Sequence, residues 1–347
     1  MRFSVLVNAY TRTVYVEQAL DSVLSQTSSQ GMEVLVLTSR SDFSIPRKIE
    51  ERAANVGTEL KLLGSPMGPA GTALASALPS IRGEFVALLD DDDMFDPRKI
   101  GKLDEAIDQY PSLGFFHNSQ CFVDESNRPL SRLNPHRFVR HASSRRSEGR
   151  RLVVDPRDDA TIARGMAYEP GFNDSSIVIR RSILEENSAL MRRLVFAEDT
   201  ALYYFALLSG RPLLLTSDRL TRYRIHGGAM TVTHQGEVGS AARAMAYRNY
   251  ALGHAASLEV VLAFARTRQA MRILRWIERE KLFWEVMASL ASEGVSGTAQ
   301  KEYLRRVLGD EPSSVTTRDL ASGFLGSLSV ISTSLARLLF LTWRGAW

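Results

Sequence analysis

The stretch EFVALLDDDDMFDP, Glu84–Pro97, sets an apolar run, Phe85 to Leu89, directly before four consecutive aspartates, Asp90 to Asp93. Like charges on neighbouring residues repel, and desolvating them at the end of a buried strand is costly. Three circumstances tolerate such a cluster: solvation by water, use at a helix start, or a cation seated in it. Asp96 and Pro97 read as N-cap and N1 of the helix DPRKIGKLDEAIDQY (96–110), so the helix start is provided for without the four aspartates. Carboxylates in this number suit a hard divalent cation, which prefers their oxygens and keeps positions open for phosphate oxygens.

Upstream of this stretch the chain alternates strand-like and helix-like segments. FSVLV (3–7), MEVLVLT (32–38), LKLLG (60–64) and EFVALLD (84–90) read as strands. TVYVEQALDSVLSQ (13–26) places Val16, Leu20, Val23 and Leu24 on one helical face; Pro46 to Val56 and GPAGTALASAL (68–78) give two further helices. Strands that are apolar throughout and alternate with helices imply an α/β, Rossmann-like fold, its mostly parallel sheet covered by helices on both faces. Ligands of such sheets bind beyond the carboxyl ends of the strands, where Asp90 to Asp93 lie. From 126 to 170 the pattern dissolves into Arg, Ser, Pro and Asp, which reads as a long Arg-rich loop or insertion. Order returns with SSIVIRRSILE (175–185), the helical EDTALYYFALLSG (198–210) and RPLLLTSDRLTRYRIH (211–226). The remainder reads as almost wholly helical, which divides the chain into a catalytic domain, 1–235, and a helical C-terminal extension, 236–347. Its last segment carries Phe324, Leu328, Ile331, Leu335, Leu338 and Thr342 on one stripe, able to pack on the protein, pair with a partner or lie on a membrane.

Composition narrows the classes. With 347 residues, 44% apolar and 24% charged, the chain is ordinary for a soluble globular protein. A single cysteine, Cys121, excludes an intramolecular disulfide and fits a reducing, cytoplasmic compartment. The opening MRFSVLVNAY has too short an apolar run for a secretory signal. The nearest approach to a membrane span, Gly323 to Trp343, is broken by serines, threonines and Arg337. The net charge of +4 is uneven: Arg128, Arg132, Arg137, Arg140, Arg145, Arg146, Arg150 and Arg151 face one acid, Glu148, and a second basic region holds Arg266, Arg268, Arg272, Arg275, Arg279 and Lys281. Such runs are solvated loops and helix faces, or they contact phosphates on a ligand or at the anionic inner face of a membrane. No nucleic-acid-binding motif accompanies the charge, which makes nucleic acid the weakest of these partners.

FSVLVNAYTRTVYVEQALDSVLSQT (3–27), EVLVLTS (33–39) and RGEFVALLDDDDMFDPRKI (82–100), in that order, resemble glycosyltransferase family 2. FAEDTALYYFALLSG (196–210) is similar to that family's Glu-Asp motif, and RYRIHGGAMT (222–231) to its closing Tyr-Arg-x-His segment. The resemblance covers roughly residues 1 to 232. It implies a GT-A fold, a nucleoside-diphosphate sugar as donor and a divalent metal, Mn2+ or Mg2+. Asp92 would then bind the metal, Asp90 the metal or the donor ribose, and His226 would supply a third ligand. Asp91, on the donor side, and Asp93 would add negative field. Asp199 would be the base for the acceptor hydroxyl, with Glu198 orienting it or binding acceptor; the plainer reading is that both acids favour a helix amino end. Direct attack by the acceptor inverts the sugar and needs no enzyme nucleophile, which leaves Cys121 an ordinary strand residue. Donor contacts fall on Asn8, Ala9, Tyr10, Arg12, Ser39, Asp42 and Gly71. Two departures concern that grip. Thr38 and Ser39 stand where an aspartate pair is expected, with Asp42 out of register, and Leu74 and Ala75 replace an Arg-Asn pair. An arginine from 128–151, such as Arg145 or Arg146, would make good the loss. The acceptor implied is a glycan or lipid-linked precursor of the cell surface, with the protein peripheral to the membrane and its oligomeric state open. Transfer to a peptide or natural product, a degenerate nucleotide-binding relative, and a helical scaffold are the rival readings.

Overall fold

The computed structural model describes residues 1–9, 14–28, 31–130, 148–194, 196–226 and 241–290. In the first half, β1 (Phe3–Asn8), β2 (Met32–Thr38), β3 (Glu59–Gly64) and β4 (Phe85–Asp90) lie side by side in the parallel order β3-β2-β1-β4. Helices α1 (Val16–Leu24), α2 (Arg47–Asn55) and α3 (Ala70–Ala77) make the crossovers. Successive strand side chains go to opposite faces. Phe3, Val5, Val7, Phe85, Ala87 and Leu89 join one apolar core with α1, α2 and α4 (Lys99–Gln109), while Leu6, Val86 and Leu88 join a second core on the other face. A strand buried on both sides needs apolar residues at every position, and each fully buried Val or Leu is worth about 1.5–3 kcal/mol. Helix α1 buries Val16, Ala19, Leu20, Val23 and Leu24, the stripe its spacing predicts. All four strands end at one edge, where Asn8 sits in register between Leu37 and Asp90.

The sheet continues through β8 (Ile177–Arg180), β6 (Phe115–Val123), β9 (Leu213–Arg224) and the two-residue β5 (Met94–Phe95), with β7 (Arg151–Val154) also on β9. Here β6 and β9 run parallel and the other pairs antiparallel, so the parallel character expected from the sequence belongs to the first half and the second is mixed. Cys121 lies within β6 as an unpaired strand cysteine. Between β7 and β9 come α5 (Asp159–Met166), the short α6 (Arg181–Glu186) and α7 (Ser188–Met191), and α8 (Glu198–Leu208). A hairpin of α9 (Ala241–Thr267) and α10 (Met271–Leu290) packs on α8 and shares the core of that face, through Leu258, Val261, Ile277 and Met287 among others.

Three expectations are corrected. The helix after the aspartates begins at Lys99 with Arg98 at its cap, not at Asp96 and Pro97. Asp96 directly follows β5, its N–H bonded to Leu220 O, and its carboxylate closes a turn on Arg98 N at 3.1 Å. Residues 126–170 are not one long loop. Leu152 to Val154 pair with β9, and α5 buries Ile162, Ala163 and Gly165 behind an Asp158 cap that accepts from Ala160 N at 2.9 Å. Flanking charge hid these short apolar runs. The start of α2 is also one residue late, with Pro46 at its cap.

The second basic region is largely matched by acids. Arg266 pairs with Glu259 and Glu278, Arg268 with Glu186, Arg272 and Arg275 with Asp159, and Lys281 with Glu259 and Glu285, while Arg279 lies over the Trp276 ring at 5.2 Å. Of the first basic region, Arg132 to Arg146 fall outside the described residues, as do Tyr10, Arg12 and the Phe324 to Thr342 stripe. Among the described residues no helix is long and apolar enough to cross a membrane.

At the opposite edge of the sheet the strand starts are locked by a hydrogen-bonded network around the buried Glu33. Gly83 N donates to Ser4 Oγ at 2.8 Å, Ser4 Oγ to Glu33 at 2.6 Å, and Arg82 N and Nε donate to the same carboxylate. A Cβ on Gly83 would lie 2.3 Å from Ser4 N, a backbone atom that cannot move alone. Gly83→Ala is therefore expected to destabilise by about 1–3 kcal/mol in urea unfolding. Unchanged stability would mean that this strand approach is not close.

Candidate functional site

Asp90 ends β4, and the turn to β5 carries Asp91 to Asp93; the pairing of β5 with β9 folds that turn back over the sheet edge. One ligand oxygen from each of Asp90, Asp92 and Asp93 lies within 4.8 Å of the others. His226, just beyond β9, reaches the same turn with Nε2 3.0 Å from Asp92 Oδ2, and packs edge-on against Tyr15 at 5.2 Å. Asp93 Oδ1 accepts from Arg224 N at 2.9 Å; Oδ2 is buried with no bonded partner, although the Ser175 and Asn173 side chains stand near enough to favour its charge. Burial, then the Asp92 charge, pushes the Asp93 carboxyl up to about 7. Asp90 is held well above the ordinary range by burial first and then by Asp92, Asp93, Asp91 and Glu198. A buried carboxylate oxygen without a partner, beside two more carboxylates and an imidazole, is a donor set suited to a hard divalent cation.

Two internal cations hold this turn. Arg224, 1% exposed, donates from Nε to Asp92 O at 2.8 Å, from Nη1 to the carbonyls of Asp124 and Glu125, and from Nη2 to Gln18 at 2.8 Å, with its guanidinium over the Tyr15 ring. Lys99, fully buried, donates to Ser175 O at 2.6 Å and lies over the Phe95 ring at 4.0 Å. Burial pulls its amine well below the usual lysine range, with Asp93 opposing. Ser175 passes this on, accepting from Asp90 N at 3.0 Å.

A second acid group sits beside the first. Asp199 accepts from Thr200 N at 2.6 Å and Asn173 N at 3.2 Å, yet burial and the Glu198 charge push it up to about 7. Glu198 is raised by burial; Asp174 is pushed well above the ordinary range by burial first and then by the charges of Glu198, Asp90 and Asp199. Glu169, Asn173 and Ala197 around this group have φ of 51°, 67° and 54°, a left-handed conformation costly for residues other than glycine. Such strain collects at functional sites.

The structure therefore brings together Asn8, Asp90, Asp91, Asp92, Asp93, His226, Glu198 and Asp199, which the sequence singled out, and adds Asn173, Asp174 and Ser175. The polar run Asn173 to Ser176, placed directly before the apolar IVIR (177–180), was the signal available for the last three. Ala9 is buried behind Asn8. Asp42 lies exposed in a two-point ion pair with Arg40, which holds its carboxyl below the usual range. Thr38 and Ser39 follow β2, with Thr38 Oγ1 accepting from Arg40 N at 3.2 Å. Gly71 serves packing, because a Cβ there would lie 2.4 Å from Met191 O. Leu74 and Ala75 face the core, which explains their apolar character, and the arginine touching α3 is Arg192, donating to Ala75 O.

Residues 1–235 match the family model described as glycosyltransferase like family 2. The chain is 24% identical over 233 residues to an uncharacterised glycosyltransferase of Nostoc sp., covering 65% of this chain and 66% of that one. It is 31% identical over 119 residues to an uncharacterised glycosyltransferase of Haemophilus influenzae, covering 34% and 39%. Each match thus spans less than two thirds of the relative's length. Residues 1–349 of S. aureus TarS share the fold, with a TM-score of 0.50 at 17% identity over 95% of this chain and 91% of that one.

The raised carboxyls set a pH dependence. Asp93 and Asp199 titrate at about 7 in the folded protein, above an unfolded value near ~4. The folded state therefore binds more protons between those values, so stability is fully present below ~4 and is lost as pH rises through about 7. The metal-free protein is expected to melt at progressively lower temperature from pH 5 to pH 8. Asp93→Asn or Asp199→Asn should flatten that slope in differential scanning calorimetry. A wild-type profile flat across this range would show that neither carboxyl is raised.

Proposed function

The chain belongs to glycosyltransferase like family 2, and from that premise we propose that it transfers a sugar from a nucleoside-diphosphate sugar to an acceptor hydroxyl, with inversion and with the help of a divalent metal. The observation that carries this reading is the pairing of two acid groups across the Asn173–Ser175 turn: Asp90, Asp92 and Asp93 at the strand ends, and Asp199 beside them at the head of α8. Asp90, Asp92 and Asp93 would hold the metal, with His226 at Asp92. Manganese or magnesium bound there supplies neutralising charge for the departing diphosphate. Asp199, with a carboxyl at about 7, is matched to taking the acceptor's proton near neutral pH. Glu198, next to Asp199 and raised by burial, would orient the base or bind acceptor. Asn8, in register with Asp90, would contact the donor's nucleoside end at the close of β1.

For the acceptor we favour a glycan or lipid-linked precursor of a cell-surface polysaccharide, on the strength of the family alone. The matched charges of α9 and α10 take away the electrostatic argument for an anionic surface on those helices. One observation favours a rival: Leu74 and Ala75 are core residues and Thr38 and Ser39 carry no charge, so the donor grip is weaker than the family pattern. That is the reading of a degenerate nucleotide binder.

Calorimetric titration of UDP, GDP, dTDP and CMP, each with and without Mn2+, decides between them when wild type is set against Asp92→Ala. One diphosphate should bind, only with metal, and at least tenfold more weakly to Asp92→Ala. Its sugar ester should then be slowly hydrolysed without acceptor, and Asp199→Asn should lower that rate by about 10²–10⁴-fold while leaving nucleotide binding intact. Binding without hydrolysis in wild type would establish the degenerate reading. Binding that ignores Asp92 would remove the metal from the proposal.

A further inference from the structure

The helical hairpin at the end of the described chain reaches the turn that carries Asp199. Phe196 N donates to Ser257 Oγ of α9 at 3.2 Å, and the same hydroxyl donates back to Phe196 O. One side chain, 2% exposed, thus satisfies both backbone groups of residue 196. A helical turn earlier, Gly253 receives the phenyl ring: a Cβ there would lie 3.0–3.2 Å from Phe196 Cβ, Cγ and Cδ1. Beyond Gly253 the ring meets Tyr250 and His254 edge-on at 5.2 and 5.3 Å, and His254 stacks on Trp284 of α10 at 4.0 Å.

The next residue, Ala197, has φ 54° and ψ 50° and caps α8 without any side-chain hydrogen bond. A left-handed alanine persists only where both of its flanks are held. On the far flank, Asn173 N holds Asp199, Thr200 Oγ1 donates to Gly171 O at 3.2 Å, and a Cβ on Gly171 would lie 2.9 Å from Thr200 Cα. The near flank is Phe196, and α9 holds it.

We propose that Gly253 and Ser257 of α9 are positioning residues for Asp199, fixing Phe196 so that Ala197 takes its left-handed turn and the acid pair enters α8 against the Asn173 amide. The inference rests on the reading of Asp199 as base. It gives α9 a part in the reaction through the turn it holds. A displacement of the base by an ångström is enough to cost about 100-fold in rate.

The test uses the full chain with Ser257→Ala, Ser257→Thr, Gly253→Ala and Asp199→Asn. Hydrogen–deuterium exchange reads the turn itself, and hydrolysis of the donor sugar reads its consequence. Ser257→Ala and Gly253→Ala should speed exchange at residues 196–201 while β1 to β4 stay protected. Their kcat should fall about 10- to 100-fold at unchanged donor KM, and Ser257→Thr, which keeps the hydroxyl, should recover most of it. Wild-type exchange at 196–201 in both α9 variants overturns the proposal. So does exchange that rises equally throughout α8, α9 and α10 with activity lost only in step with the folded fraction. If Asp199→Asn hydrolyses donor at the wild-type rate, the base reading falls, and the exchange result still decides whether α9 holds the turn.

Discussion

Arg224 is the interaction on which the site depends. Its backbone N–H holds Asp93, its Nε holds the carbonyl of Asp92, and its Nη2 reaches Gln18 on α1. The carbonyls of Asp124 and Glu125, past the end of β6, complete its shell. A single guanidinium therefore ties the aspartate turn to the first crossover helix, the neighbouring strand and the last strand of the sheet. A fully buried arginine is rare unless paired, and burial lowers its pKa despite the surrounding acids. Removing its side chain would leave three carbonyls and the Gln18 oxygen without their donor. The acids of this turn can stay together because a guanidinium sits on its backbone side and because burial and mutual repulsion raise the Asp90 and Asp93 carboxyls.

Lys99 works from the opposite direction. It does not reach the aspartates' oxygens; it fixes Ser175, whose hydroxyl in turn fixes Asp90 N. The short turn at Asn173 to Ser176 is then shared by both acid groups, because its first amide holds Asp199 and its serine holds Asp90. The positive φ values of Asn173 and Ala197 are the cost of bringing a loop amide and a helix start to the same point. Packing offsets that cost from two sides, through Gly171 against Thr200 and through α9 against Phe196.

The first half of the fold was legible because β1, β2 and β4 are dominated by apolar residues and the first crossover helix has a one-sided stripe. Val16, Leu20, Val23 and Leu24 point into the core as their spacing requires. The directions of β8, β6 and β9 were not legible, because a strand buried on both faces carries the same pattern whichever way its neighbours run. β7 and α5 were hidden for a different reason: Leu152 to Val154 and Ile162 are short runs between arginines and aspartates, and only their contact with β9 and Tyr203 makes them ordered. In the site, the aspartate cluster could be read but the roles within it could not. Side-chain direction in that turn is set by Arg224, 131 residues away from Asp93. Asp174 carried no signature beyond its place in the polar run 173–176, since a lone aspartate there gains its meaning from Glu198 across the fold.

The two acid groups form one electrostatic unit. Glu198 raises Asp90, Asp174 and Asp199 alike, and Asp90 raises Asp174. A cation at Asp90 would therefore weaken one of the repulsions that hold Asp174 above its ordinary range. The carboxylates cannot separate, because Arg224, Lys99 and the 173–175 turn hold the backbone that carries them. A site whose acids could drift apart would relieve the repulsion by moving. Here the acids are held, so the repulsion is met by raised carboxyls instead, and the strand ends and the head of α8 share one balance of charge.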